Sequence, residues 1–301
     1  MSIIVSNGHK QNFFAVFGLL FGAVCWGIIW YPYRLMAEAG VSGVASSFYT
    51  YCMATLVGCV LFVKHWRGVT KLPKEVVWLS IAAGWTNLSY VLAVIDGEVM
   101  RVMLLFYLSP FWTLILAHFW LKEPIYKNGY IAIIVSLFGA FIMLSDFSAG
   151  EWPLPRNQAE WLALSAGIGF SLTNVITRKS THLSVPAKSM LVWLGVVGMA
   201  VILMPILNVT PPALSFFSGQ QWLIMSIIAL LLLAATIFVQ YGVTKMTAVS
   251  ASVLFLFELV VAAVASYFLA NEAMSWTEWL GGSLIIAAAV ISAMQPQEAA
   301  A

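Results

Sequence analysis

The sequence predicts an all-α membrane protein, with ten transmembrane helices arranged as two inverted five-helix repeats. Hydrophobic residues make up 62% of its 301 residues and charged residues only 9%, whereas a soluble domain carries about 25% charged residues. Apolar runs of about twenty residues, the length a helix needs to cross a hydrocarbon core of about 30 Å, recur along the chain. Charges and turn formers separate these runs, and none shows the period-two alternation of a membrane β-barrel.

The spans fall near 12–33, 42–64, 75–95, 100–120, 127–145, 159–178, 187–207, 220–242, 247–269 and 276–294. The first is too long for the apolar core of a signal peptide and is expected to remain as helix 1. There Gly22, Trp26 and Trp30 follow Gly18 at steps of four. Small residues let helices approach, and the indoles then project from one face. Trp26 lies deeper and is the better cavity candidate, while Trp30 sits nearer the interfacial aromatic belt. The third span places Asn87 near its middle and Tyr90 one turn on.

The fourth span is the one the chain is organised around. It opens at Arg101 and closes at Lys122-Glu123-Pro124, with no charged residue between. Pro110 sits mid-span, where it lacks a backbone donor, leaves the carbonyl of Phe106 without its helical partner and bends the axis. Tyr107, Pro110, Phe111 and His118 fall within about 100° on a helical wheel, the expected wall of a substrate pathway. The sixth span gathers Gly167, Phe170, Ser171, Asn174 and Arg178 on one face, and the eighth contributes Thr236, Gln240 and Tyr241. The hardest boundary lies between the seventh and eighth spans, because residues 189–244 carry no charge; Asn208-Val209-Thr210-Pro211-Pro212 supplies the break. In the ninth span, Glu258 is the sole carboxylate near the centre of any span. It is expected to be paired, protonated or facing a wet cavity.

Lysine and arginine in short loops set the orientation. With the N-terminus in the cytoplasm, that side collects Lys10, Lys64, Arg67, Lys71, Lys74, Lys122, Lys127, Arg178, Lys179, Lys188 and Lys245, leaving Arg34, Arg101 and Arg156 outside. An even number of spans returns the C-terminus to the cytoplasm. The connection from Asp146 to Gln158, with Gly150, Pro153 and Pro155, divides the chain into residues 1–150 and 151–301. The halves align weakly. Phe119-Trp120-Leu121-Lys122-Glu123 matches Phe268-Leu269-Ala270-Asn271-Glu272, and Arg34 matches Arg178. Five helices per half make the second copy enter from the opposite side, which puts a site near the midplane between them.

Ten helices in two halves, with Ser109-Pro110 in helix 4 and Leu121-Lys122-Glu123-Pro124 at its end, resemble the drug/metabolite transporter superfamily, of the type built from two EamA repeats. Among its branches, the chain is most similar to the bacterial aromatic amino acid exporters of the inner membrane. The resemblance implies a central cavity, alternating access and export of aromatic amino acids and related compounds. Where that family often carries Glu-Pro in helix 9, this chain has Glu258-Leu259, so a second kink is not implied.

The expected substrate-binding set is Trp26, Trp30, Asn87, Tyr90, Tyr107, Pro110, Phe111, Phe170, Ser171, Asn174, Gln240 and Glu258. Rings would stack on tryptophan and tyrosine, while an ammonium group meets π faces or an acid. No Lys or Arg lies mid-span, which argues against phosphate-bearing substrates. An enzyme is not expected: there is no HExxH motif and no intramembrane aspartate pair. Cys25, Cys52 and Cys59 fit no metal spacing and read as small hydrophobes. No cofactor is expected. The expected partners are a small-molecule substrate and membrane lipid; a net charge of +2 gives no reason to invoke nucleic acid, and a monomer suffices. The alternative is a broader metabolite or drug exporter taking other amino acids or cationic aromatics, with or without proton coupling.

Overall fold

The computed structural model describes residues 2–62, 74–122, 124–144, 154–246, 251 and 254–293. Eleven α-helices are defined among them: α1 Ser2–Glu38, α2 Gly43–Leu61, α3 Lys74–Asp96, α4 Val99–Phe106, α5 Ser109–Leu121, α6 Lys127–Leu144, α7 Gln158–Lys179, α8 Val185–Ile206, α9 Gly219–Lys245, α10 Phe257–Leu269 and α11 Trp276–Ala293. The described residues contain no strand. Seven segments are long and apolar enough to cross a membrane, and Lys127–Ile142 and Phe257–Leu269 are shorter apolar helices. Of the expected features, Glu123, the loop cations Lys64, Arg67 and Lys71, and part of the ninth span lie outside the described residues.

Polar side chains decide where several helices begin. Ser42 accepts from the Ala45 N–H, Asn157 from Glu160 and Ser184 from Ala187. Ser218 and Gln221 form a reciprocal capping box on α9. Each satisfies an N–H that the first helical turn leaves unpaired. At the other end, Lys122 after α5 and Asn271 after α10 both turn the chain through the left-handed region, with φ of 57° and 54°. These positions correspond in the alignment of the two halves, so the internal repeat extends to an unusual backbone conformation.

The fourth span differs from the expected kinked helix. It is two helices: α4 stops at Phe106, Tyr107 and Leu108 form a turn, and α5 restarts at Ser109. Pro110 therefore stands in the first turn of α5, where its missing N–H costs nothing. The break precedes the proline instead of being centred on it.

Helices α6 with α11, α3 with α7 and α8, α1 with α9, and α2 with α8 form the main packing pairs. Helices α3 and α8 come together at two glycines. A Cβ on Gly84 would strike the Gly195 carbonyl, and one on Gly195 would strike the carbonyl of Ser80. The Ser80 hydroxyl also donates to the Leu191 carbonyl across this crossing, at 3.0 Å. In lipid, where apolar side chains gain nothing from leaving water, such close backbone approach supplies much of the helix association.

Overpacking at this crossing gives a stability test. Gly195→Val should destabilise the bundle by about 1–3 kcal/mol and lower its thermal unfolding midpoint in detergent. Gly198→Ala, with nothing within 4 Å of the added carbon, should keep or raise the midpoint, since alanine is the better helix former.

Candidate functional site

A cavity of about 100 Å³ lies between α1, α2, α3, α4, α7, α8, α9 and α10. Of the expected site residues, Trp26, Asn87, Tyr90, Phe170, Asn174, Gln240 and Glu258 line it. Tyr33, Tyr51, Thr86, Phe106, Thr173 and Thr236 join them. Tyr33 and Tyr51 carried no distinguishing signal in the sequence, because an aromatic on an apolar helix reads equally well as packing.

One side of the cavity is aromatic. Phe170 stands between Trp26, Phe106 and Phe255, with ring centroids 6.0, 5.2 and 5.1 Å away. Trp26 and Phe255 are 5.6 Å apart, and Phe106 continues the series to Tyr90 at 5.4 Å. Three of these five contacts are edge-to-face and two are tilted, and together they hold the rings in fixed orientations. The other side is polar. The Asn87 amide donates to the Tyr51 hydroxyl at 2.9 Å, while Asn87 Oδ1, Asn174 Nδ2 and Gln240 Oε1 are buried with no partner. No lysine or arginine lines the cavity. The space is smaller than an engineered apolar cavity of about 150 Å³ that accepts benzene.

The remaining expected residues lie elsewhere. Trp30 is fully buried, donates its indole N–H to the Gly27 carbonyl, and lies under the Arg34 guanidinium at 5.1 Å. Pro110 and Phe111, with Tyr107, line a separate cleft of about 10 Å³ against α6 and α11, room for no more than a water molecule. Ser171 supports the helix break: its hydroxyl donates to the Ser109 carbonyl at 2.7 Å. One turn earlier, a Cβ on Gly167 would come within 2.6 Å of the Phe106 carbonyl. Helix α7 therefore braces both sides of the break, and only glycine fits at that approach.

Tyr107 is buried behind the cavity wall, with its hydroxyl 2.6 Å from both the Phe255 carbonyl and Glu258 Oε2. The phenol has one proton and a carbonyl can only accept. Satisfying both short contacts takes a second proton, and the Glu258 carboxyl is the group placed to carry it. This triad joins the α4–α5 turn to the start of α10, and thus the two halves of the chain.

The halves also meet at the end of the bundle that carries Arg34. The Arg34 guanidinium donates to the carbonyls of Val94 and Gly97 at 2.7 and 2.6 Å, and to Glu272 at 2.9 Å. The second Glu272 oxygen accepts from the Val99 N–H at 2.7 Å, at the start of α4. Arg101 and Glu160 pair beside it. At the opposite end, the aligned Arg178 donates to the Thr244 carbonyl in the last turn of α9.

The sequence model of the EamA-like transporter family matches this chain twice, at residues 13–145 and 157–294. The chain belongs to that family. It is therefore a multi-pass membrane transporter of the drug/metabolite superfamily. A solved protein structure superposes with a TM-score of 0.61 at 15% identity, over 92% of this chain and 94% of the other, so the two share a fold. No curated protein matches the sequence.

Two variants separate the roles within this EamA-like chain. Glu258→Gln keeps a donor and an acceptor at the triad and should unfold close to the unaltered midpoint. Tyr107→Phe strands the carboxyl and should cost about 1–3 kcal/mol in the same thermal assay. At the Arg34 end, Glu272→Gln removes the charge that holds Arg34 to α4. A cysteine placed at Ile29, with the native cysteines replaced by serine, should then be labelled several-fold faster by a maleimide.

Proposed function

We propose that this transporter exports aromatic amino acids and related small metabolites across a bacterial cytoplasmic membrane, with both termini in the cytoplasm. Residues 1–150 and 151–301 act as inverted halves that rock about the central cavity, exposing it to one side at a time. The observation that carries this reading is the pairing of an aromatic wall (Trp26, Phe106 and Phe170) with a cation-free amide wall in one cavity. Rings find edge and face partners, and polar groups find amides in place of lipid. The Arg34–Glu272 pair supports the rocking part of the reading. It ties the second half to α1, α3 and α4 next to Tyr33 and Val91 of the cavity lining, so opening that end requires its separation.

A broader exporter of cationic aromatics is the second reading. Glu258 favours it as the one carboxyl in the cavity lining; an organic cation would be held by that acid and by the π faces around it.

Purified protein in liposomes loaded with labelled phenylalanine, tryptophan, threonine or a cationic aromatic dye tests these readings. Phenylalanine and tryptophan efflux should exceed threonine efflux, and Trp26→Ala should cut aromatic flux at least tenfold while the protein still folds. Equal flux of all four compounds would favour the broader exporter, and normal aromatic flux in Trp26→Ala would remove that indole from the site.

A further inference from the structure

We infer that a groove between α3, α5 and α7 seats one acyl chain of an anionic phospholipid, whose headgroup rests at Lys122 and Lys179. The inference is independent of the transport cavity and of what passes through it. The groove holds about 450 Å³, several times the volume of the cavity, and exposed Trp78, Ile81 and Trp120 place it on the outside of the bundle. Helix α7 forms its floor, with Ser165, Ile168, Leu172 and Ile176 at steps of three and four along one face. Gly169 belongs to the same stripe. A Cβ there would come within 2.6 Å of the Thr86 hydroxyl, so α3 lies close against the floor. Trp78 and Trp85 of α3 stand on one side of the groove and Trp120 of α5 on the other.

The lining suits an alkyl chain. Apart from the indole N–H groups, its one polar side chain is Ser165, whose hydroxyl already donates to the Leu162 carbonyl at 2.8 Å. The length suits one leaflet. Ser165 and Ile176 are eleven residues apart, about 16 Å along a helix and half of a hydrocarbon core of about 30 Å. The Ile176 end is the headgroup end. Leu79 packs on Ile176, and Ala117 packs on Val175, so Trp78 and Trp120 stand at that level, as interfacial tryptophans do. Lys122 follows Trp120 by two residues, and Lys179 carries the Leu172–Ile176 face into the next turn. Both lysines are exposed, and neither has an acidic partner among the described residues. Basic residues at the mouth of a slot between spanning helices favour an anionic headgroup over a zwitterionic one. Helices α3 and α7 also wall the cavity, through Thr86 and Thr173, so the lipid lies back to back with it.

Native mass spectrometry of the full chain tests the inference, after its release in detergent from vesicles of equal parts dioleoylphosphatidylglycerol and dioleoylphosphatidylcholine. One phosphatidylglycerol should stay bound per chain, roughly tenfold over phosphatidylcholine, the preference expected of two cations at a headgroup. Lys122→Gln combined with Lys179→Gln should bring the two lipids level. Leu172→Trp, which fills the groove, should release both. Free glycerol phosphate, a headgroup without chains, should not compete. Equal retention of the two lipids by the unaltered chain, or a preference that survives the paired lysine substitutions, overturns the inference. So does retention unaffected by Leu172→Trp, displacement by glycerol phosphate, or a lipid-free dimer whose second copy covers the groove. If Leu172→Trp fails to fold, the two-lipid comparison on the unaltered chain and on the exposed-lysine variant still decides.

Discussion

A helix interrupted in the middle of a membrane leaves carbonyl oxygens that lipid cannot satisfy, and much of this bundle is arranged around that debt at Tyr107 and Leu108. The carbonyl of Ser109 takes its hydrogen bond from Ser171. The carbonyl of Phe106 lies against Gly167, which has no side chain to push it away. The tyrosine in the turn reaches across to Phe255 and Glu258 in the other half. Non-helical backbone persists at membrane depth only where protein or a wet cavity covers it, and here protein covers it. The same break turns Phe106 into the cavity and Tyr107 behind its wall.

Two sets of contacts therefore join the halves. One is buried and short-ranged, where Tyr107 holds the chain before α10 and Glu258 within it. The other is at the Arg34 end, where a guanidinium and a carboxylate bind helix termini as well as each other. Arg34 meets the carbonyls that finish α3, and Glu272 meets an N–H that starts α4, so each charge also opposes a helix dipole of the right sign. Such a pair is more specific than a surface ion pair, since each partner is held by backbone. Between the two sets lies the cavity, whose aromatic residues are locked by one another and whose Asn87 amide is held by Tyr51.

Membrane residence, the all-helical build and the resemblance of the two halves were legible in the sequence, because they depend on run length, on charge placement and on periodicity, all local properties. The matching left-handed turns at Lys122 and Asn271 express an alignment already visible in Phe119–Glu123 and Phe268–Glu272. Deep polar residues were also readable. Asn87, Asn174, Gln240 and Glu258 stand out against apolar helices because burying them in lipid requires a reason, and all four reach the cavity.

What only the tertiary structure decided is which side of each helix faces the cavity and which braces it. A helical wheel put Tyr107, Pro110 and Phe111 on one face, and the three do line one cleft, but that cleft lies against α6 and α11 and apart from the cavity. Ser171 lies on the same face as Phe170 and Asn174 in sequence, yet serves a carbonyl of α5, because α7 contacts the break at that height. Trp30 shares its stripe with Trp26 but is covered by Arg34. The physical reason is common to all three: periodicity gives the angle of a side chain about its own axis, while its neighbour across the bundle depends on helix breaks and crossings that form only when distant segments pack.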